Sequence, residues 1–398
     1  MLKNELPSIK KDKVTVKDIQ RMSVGANSIL AQIREGILEP LPRKQSPEYT
    51  LAEIADFCKM NKNEARKLAV AHNLSSGTMR GKSKIFSLKE FQSYVKASGA
   101  YPQRKKGAKG KIVVVASYKG GVTKTTTSVS LAHGLTLCNQ KVLLVDMDGQ
   151  GSATMMMGLS PEIEIKEEDT IMDYIYGVQK DVSYAVRATY WENLYLIPAS
   201  SSLLAAEYVI PGKIAKTADL GIDLSNYKFW DEIRDGLDPL LAEFDVVIID
   251  TSPSLGYLTQ ASLAAADGIV MPVPQQALDF ASSIQFWEIF AEMVNIFGDF
   301  KDRKTFDFLK VFITKAMPSN DENAATISNW IESAYGSFLS KTQIPESRAA
   351  KDALSYYKSI FDILPKDEFR KDTVERYKGP MLALVHEVLD ELSASWKE

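Results

Sequence analysis

Cysteine and histidine are nearly missing from this chain, with 2 and 3 residues among 398. Cys58 and Cys138 lie far apart, each inside a helix-like apolar pattern, which predicts buried thiols in a reducing cytoplasm. His72, His133 and His386 match no metal-ligand spacing, so a histidine metal site is not expected. No apolar run approaches the ~20 residues that a membrane-spanning helix needs. The lysine-rich stretch Met1–Lys13 has no apolar core and does not read as a secretory leader. Internal repeats and extended low-complexity segments are also missing. What is there, 45% hydrophobic and 25% charged residues, suits a globular protein of two or three domains.

Net charge is only −3, but it is divided unevenly. Residues 1–110 carry 22 Lys+Arg against 10 Asp+Glu, and the remainder carries 26 against 41. A basic third on an acidic body fits a nucleic-acid-binding module, or merely a solvated basic surface. The segment from Ser98 to Lys111 has Gly, Pro and five basic residues and little to bury, so it reads as a linker. A weaker break falls between Pro40 and Pro47. These breaks divide the chain into a helix (1–47), a DNA-binding candidate (48–97), a basic linker (98–110) and a large domain (111–398).

In the first part Ile19, Met22, Ala26, Ile29 and Ile33 recur at spacings of three and four, interrupted only by the poor helix former Gly25. Such a stripe needs a partner, either a second copy or its own domain. In the second part Thr50 and Glu53 form a capping box ahead of one helix, and Lys59-Met60-Asn61 separates it from another. The outward face of that second helix carries Lys62, Asn63, Arg66 and Lys67. A glycine-containing hairpin with Arg80, Lys82 and Lys84 follows, as a wing along a phosphate backbone would. The pattern is that of a winged helix-turn-helix; a helical protein-interaction module is the other reading.

From Lys111 onward, β-branched runs at 112–117, 142–148, 194–199, 246–250, 268–273 and 308–314 alternate mostly with helical stretches. That pattern predicts an α/β fold with a mostly parallel sheet covered on both faces. The first run leads straight into YKGGVTKTTTS and a helix, which is the arrangement phosphate binding requires. Gly120 and Gly121 let the backbone approach an anion, Lys124 reaches its β- and γ-phosphates, and Thr125 supplies a hydroxyl to Mg²⁺. Lys119 is an additional lysine, and Val122, Thr123 and Thr126 complete the nucleotide-binding stretch. Asp146 and Asp148 are spaced i, i+2, so both are expected to face the γ-phosphate from one side of an extended segment. Asp250 closes the fourth run, where it can bond a metal-bound water.

KGGVTKTT, DMDGQGSAT and IIDTSPS resemble the three nucleotide motifs of the ParA/MinD group of deviant P-loop ATPases. Within that group the chain is most similar to the large ParA-type plasmid partition ATPases with an N-terminal winged helix-turn-helix, and PVPQQALDFASS (272–283) also matches those forms. The likeness is strongest over 111–285 and weakest after 315. It implies a doubly wound sheet and hydrolysis of ATP to ADP with Mg²⁺. Asp148 would position the water, Asp146 and Asp250 would lie near the metal through water, and Lys119 would reach the partner's phosphates in a homodimer. Arg348 would bind non-specific DNA. It further implies operator binding as an autorepressor, a ParB-type partner that stimulates slow turnover, and a cytoplasmic location on the nucleoid. The family usually has Gly where this chain has Thr123, and Pro where it has Gly149. The last helix is amphipathic (Leu382, Val385, Leu389, Leu392) but acidic on its polar face, so it should pack on the body and avoid a membrane. The alternative is a repressor that senses nucleotide without segregating DNA.

Overall fold

The computed structural model describes residues 14–36, 44–219, 227–295, 297, 300–318, 320–363 and 370–396. Two compact units emerge, 1–41 and 42–398. Among the described residues the first holds one helix, α1 (Val16–Gly36), opened by a Thr15–Asp18 hydrogen-bond pair. Ile19, Met22 and Ile29 are exposed on it. The side chain of Ile33 and the break at Pro40 lie outside the described residues.

The second unit begins with β1 (Tyr49–Thr50), α2 (Leu51–Phe57), α3 (Lys62–Ala71), β2 (Thr78–Arg80), β3 (Ser83–Phe86) and α4 (Leu88–Ser98). All three helices start with reciprocal capping boxes: Thr50 with Glu53, Asn61 with Glu64, Ser87 with Glu90. These caps explain the sharp starts of such short helices, which would be marginal alone. The strands form an antiparallel sheet in the order β1-β3-β2.

Seven more strands build the large sheet: β4 (Lys111–Val115), β5 (Val142–Met147), β6 (Arg187–Ala188), β7 (Leu194–Ile197), β8 (Val246–Thr251), β9 (Gly268–Pro274) and β10 (Phe308–Thr314). Their order is β10-β9-β4-β8-β5-β7-β6, and every pairing is parallel except β6 with β7. β4 and β8 are buried on both faces apart from Lys111, as helices on either side require. All the runs read from the sequence are strands; the two-residue β6 was too short to show a period.

α5 (Lys124–Leu137) follows β4 and packs against the last helix, Lys371–Ser395. That helix buries Val385, Leu389 and Leu392, as its apolar stripe predicted. Gly134 permits the contact, since a Cβ there would lie 2.4 Å from Val385 Cγ2. Gly134→Ala is therefore expected to destabilise the protein by about 1–3 kcal/mol through overpacking. Urea unfolding measures this, and an unchanged midpoint would show that the two helices part freely.

The small sheet and its helices share one apolar core with α5: Ile54, Phe86, Phe91 and Tyr94 join Leu131, Leu135 and Trp191. The Gln92 amide, buried on α4, donates to the carbonyls of Thr136 and Glu192 at 3.1 Å each and accepts from Asn193. Residues 98–110, read as a linker, lie along this body. Tyr101 is buried, Arg104 pairs with Asp245 at 2.6 Å and Lys109 with Asp238 at 2.7 Å. Part of the basic charge counted toward nucleic acid is thus neutralised inside the chain. Both cysteines are free and buried, and burial pushes both thiols up. No described helix is long and apolar enough to cross a membrane.

Candidate active site

Parallel strands deliver their carboxyl ends to one edge of the sheet, where such folds bind ligands. The chain leaves β4 there and turns through Lys119–Thr123 into α5. Gly121 has φ +73° and Thr123 φ +75°, ψ +17°. The left-handed conformation is natural for Gly121 but costs a β-branched threonine about 1–2 kcal/mol. Thr123 is the N-cap of α5, yet its side chain caps none of the helix's N–H groups. Those groups and the helix dipole remain directed at whatever anion the loop holds.

The loop opens on a cavity of about 410 Å³, lined by Gly120, Gly121, Thr123, Lys124, Thr125, Thr126, Asp148 and Ser152 on one side. Thr314, Lys315, Pro345, Glu346, Ser347 and Tyr377 line the other. Lys124 is 7% exposed and its ammonium donates to the Lys119 carbonyl at 2.9 Å. Burial lowers its pKa, while Asp250 and Asp148 pull it back up.

Asp146 and Asp250 are register partners on β5 and β8, both fully buried. Desolvation and their mutual repulsion raise the Asp146 pKa; burial raises that of Asp250, against the Thr125 and Ser128 hydroxyls and Lys124. The structure separates the i, i+2 carboxylates. Asp148 lines the cavity, whereas Asp146 accepts from Thr154 N and Oγ1 at 2.8 Å and from Asp148 N at 3.2 Å. The period-2 expectation fails because the strand ends at Met147, and the Gly151 N–H bond to the Asp148 carbonyl turns the chain away. Asp146 thus shapes the turn that presents Asp148.

Lys119 does not line the cavity. Its ammonium pairs with Asp279, a buried carboxylate in the first turn of the helix Ala277–Val294. Read alone, the sequence offered Lys119 no partner within one chain; the structure supplies one from 160 residues onward. Lys62, Asn63, Arg66, Lys67, Arg80, Lys82 and Lys84 are all exposed, and none of them lines the cavity at the loop. The Arg66 guanidinium donates to Asn63 Oδ1 at 2.8 Å, and Arg80 pairs with Glu48 at 2.5 Å. The Arg348 side chain is 91% exposed at the start of the helix Arg348–Ser355, 3.6 Å from Asp352.

Sheet, loop and strand-end aspartates together define a P-loop ATPase whose loop departs from the usual pattern. Residues 110–297 match a family described as an AAA domain. The chain is 27% identical to Protein SopA of Escherichia coli K12 over 331 residues, 81% of this chain and 82% of SopA. It is 35% identical to the chromosome partitioning protein ParA of Myxococcus xanthus over 167 residues, 41% of this chain and 52% of that protein. A solved structure named Partition Protein shares the fold over 87% of this chain and 97% of its own, with a TM-score of 0.63 and 17% identity. By these matches and its motifs, the ATPase domain is similar to those of the ParA-type partition ATPases.

The site fits ATP or ADP with Mg²⁺. Asp250 Oδ2 is buried without a hydrogen-bond partner among the described residues, although the Thr125 hydroxyl is nearby. A carboxylate oxygen left so is what a metal-bound water would satisfy. Thr125 and Asp250 would hold the ion, which when bound neutralises charge on the phosphates.

Proposed function

We propose that the chain is a DNA-segregation ATPase in which ATP drives dimerisation of the ATPase domains, and which also binds its own operator. The observation that carries the reading is the division of labour between two lysines. Lys124 lines the nucleotide cavity, whereas Lys119 is held outside it by Asp279. In the proposed dimer Lys119 exchanges Asp279 for the partner's phosphates, and Asp148 orients the attacking water. A dimer so bridged by ATP coats nucleoid DNA through exposed cations such as Arg348. A ParB-type centromere-binding partner stimulates hydrolysis and releases it. Slow turnover suits a switch whose output is the ATP state.

Residues 48–97 are the proposed operator-binding module. α3 follows α2 through a tight turn, and Asn63, Arg66 and Lys67 share an exposed face of it, with the β2–β3 hairpin as the wing. Exposed Ile19, Met22 and Ile29 on α1 offer a stripe for dimerisation. Turnover measured with DNA and the cognate ParB-type protein is the central test. Intact operator binding without turnover under any condition would leave a nucleotide-sensing repressor instead.

Arg66→Ala is expected to weaken operator binding by roughly tenfold or more while nucleotide affinity stays unchanged, since one base-edge contact is worth ~1–3 kcal/mol. Electrophoretic mobility shift at fixed salt reads this out. Unchanged operator affinity would remove α3 as the recognition helix.

A further inference from the structure

We infer that Thr314 and Lys315, at the carboxyl end of β10, are positioning residues that brace the phosphate loop and allow this chain to keep a threonine at position 123. The inference rests on the ATP-binding reading above. The two loop residues with positive φ are Gly121 and Thr123, and each receives one bond from this corner. The Thr123 and Thr314 hydroxyls are 3.3 Å apart, and Lys315 Nζ donates to the Gly121 carbonyl at 2.7 Å.

Several features make these bonds a built brace. Thr314 is 2% exposed, so its hydroxyl has little water to turn to. The Thr123 hydroxyl forgoes the usual N-cap bond, which frees it for Thr314. Lys315 itself has φ +51°, an uncommon backbone for a long side chain, right where β10 ends. The bond to the Gly121 carbonyl engages that oxygen, as an anion-binding loop needs if its N–H groups are to face the anion. Neither bond uses the Lys124 ammonium, which goes to the Lys119 carbonyl. The brace comes from a strand two places from β4 in the sheet, so it ties the loop across β9. A glycine at 123 adopts the same backbone without strain and has no hydroxyl to tether.

The test is a cycle of full-length variants: Thr123→Gly, Thr314→Val, their double, Lys315→Met and Lys315→Arg. ATP and ADP affinities are titrated with Mg²⁺ present, and thermal midpoints are taken without nucleotide. Thr314→Val and Lys315→Met should each weaken both nucleotides about tenfold, the scale of one well-placed bond to the loop. The nucleotide-free midpoints should stay near that of the parent protein, and Lys315→Arg should restore most of the affinity. In the Thr123→Gly background, Thr314→Val should cost less than about twofold, the coupling expected of contacting residues. An equal cost of Thr314→Val in both backgrounds would overturn the brace. A loss confined to ATP in Lys315→Met would make Lys315 a direct ligand of the terminal phosphate and overturn it too. If the parent protein binds no ATP, the failure lies with the proposed function; if it binds and Thr314→Val changes nothing, it lies with the brace alone.

Discussion

Lys124→Ala should abolish ATP binding, with affinity falling by at least about a hundredfold as several charge-assisted hydrogen bonds to phosphate are lost. The ammonium is already desolvated, with burial lowering its pKa, so its interaction with an arriving phosphate is little screened. Asp148 and Asp250 lie close enough to act on its charge. Without the lysine Asp148 would face the phosphates without that nearby cation, which adds repulsion to the lost attraction. Isothermal titration with ATP and Mg²⁺, alongside circular dichroism to establish folding, measures the effect. A folded variant that keeps affinity within about threefold would mean that the helix dipole and loop N–H groups suffice, and the loop would need another reading.

The elements of the large sheet were legible because parallel strands buried on both faces must be continuous apolar runs, and those runs stand out between helices. The Thr50–Glu53 capping box was legible because a cap is a local device of four residues, and it formed as read; the boxes at Asn61 and Ser87 went unread. The loop was legible for the same reason, its parts being contiguous from Lys119 to Thr126. What stayed hidden came from distance along the chain. Asp279 meets Lys119, and Thr314 meets Thr123, only after β9 and β10 have joined the sheet. Composition also misled over residues 98–110, since it counts positive charge without showing that Asp238 and Asp245 await Lys109 and Arg104. The i, i+2 rule held while the chain was a strand and lapsed one residue after it ended.

Lys119→Ala should separate binding from turnover. Within one chain Lys119 is 40% exposed and its ammonium is on Asp279, outside the cavity that Lys124 enters. Its loss removes no group that lines the nucleotide pocket of its own chain, so ATP affinity should stay within about threefold of the parent. The truncation leaves Asp279 buried without its cation, so folded stability should fall somewhat, and the comparison belongs well below the melting range. Turnover should fall by roughly a hundredfold or more, because a cation supplied in trans to a transferring phosphoryl group is worth ~10³–10⁵ in rate. ATP-dependent dimerisation, followed by sedimentation velocity, should be lost together with turnover. Equal loss of ATP binding in Lys119→Ala and Lys124→Ala would place both lysines on one chain's phosphates and remove the trans role. Retained dimerisation with lost turnover would confine Lys119 to chemistry and leave the switch to other contacts at the interface.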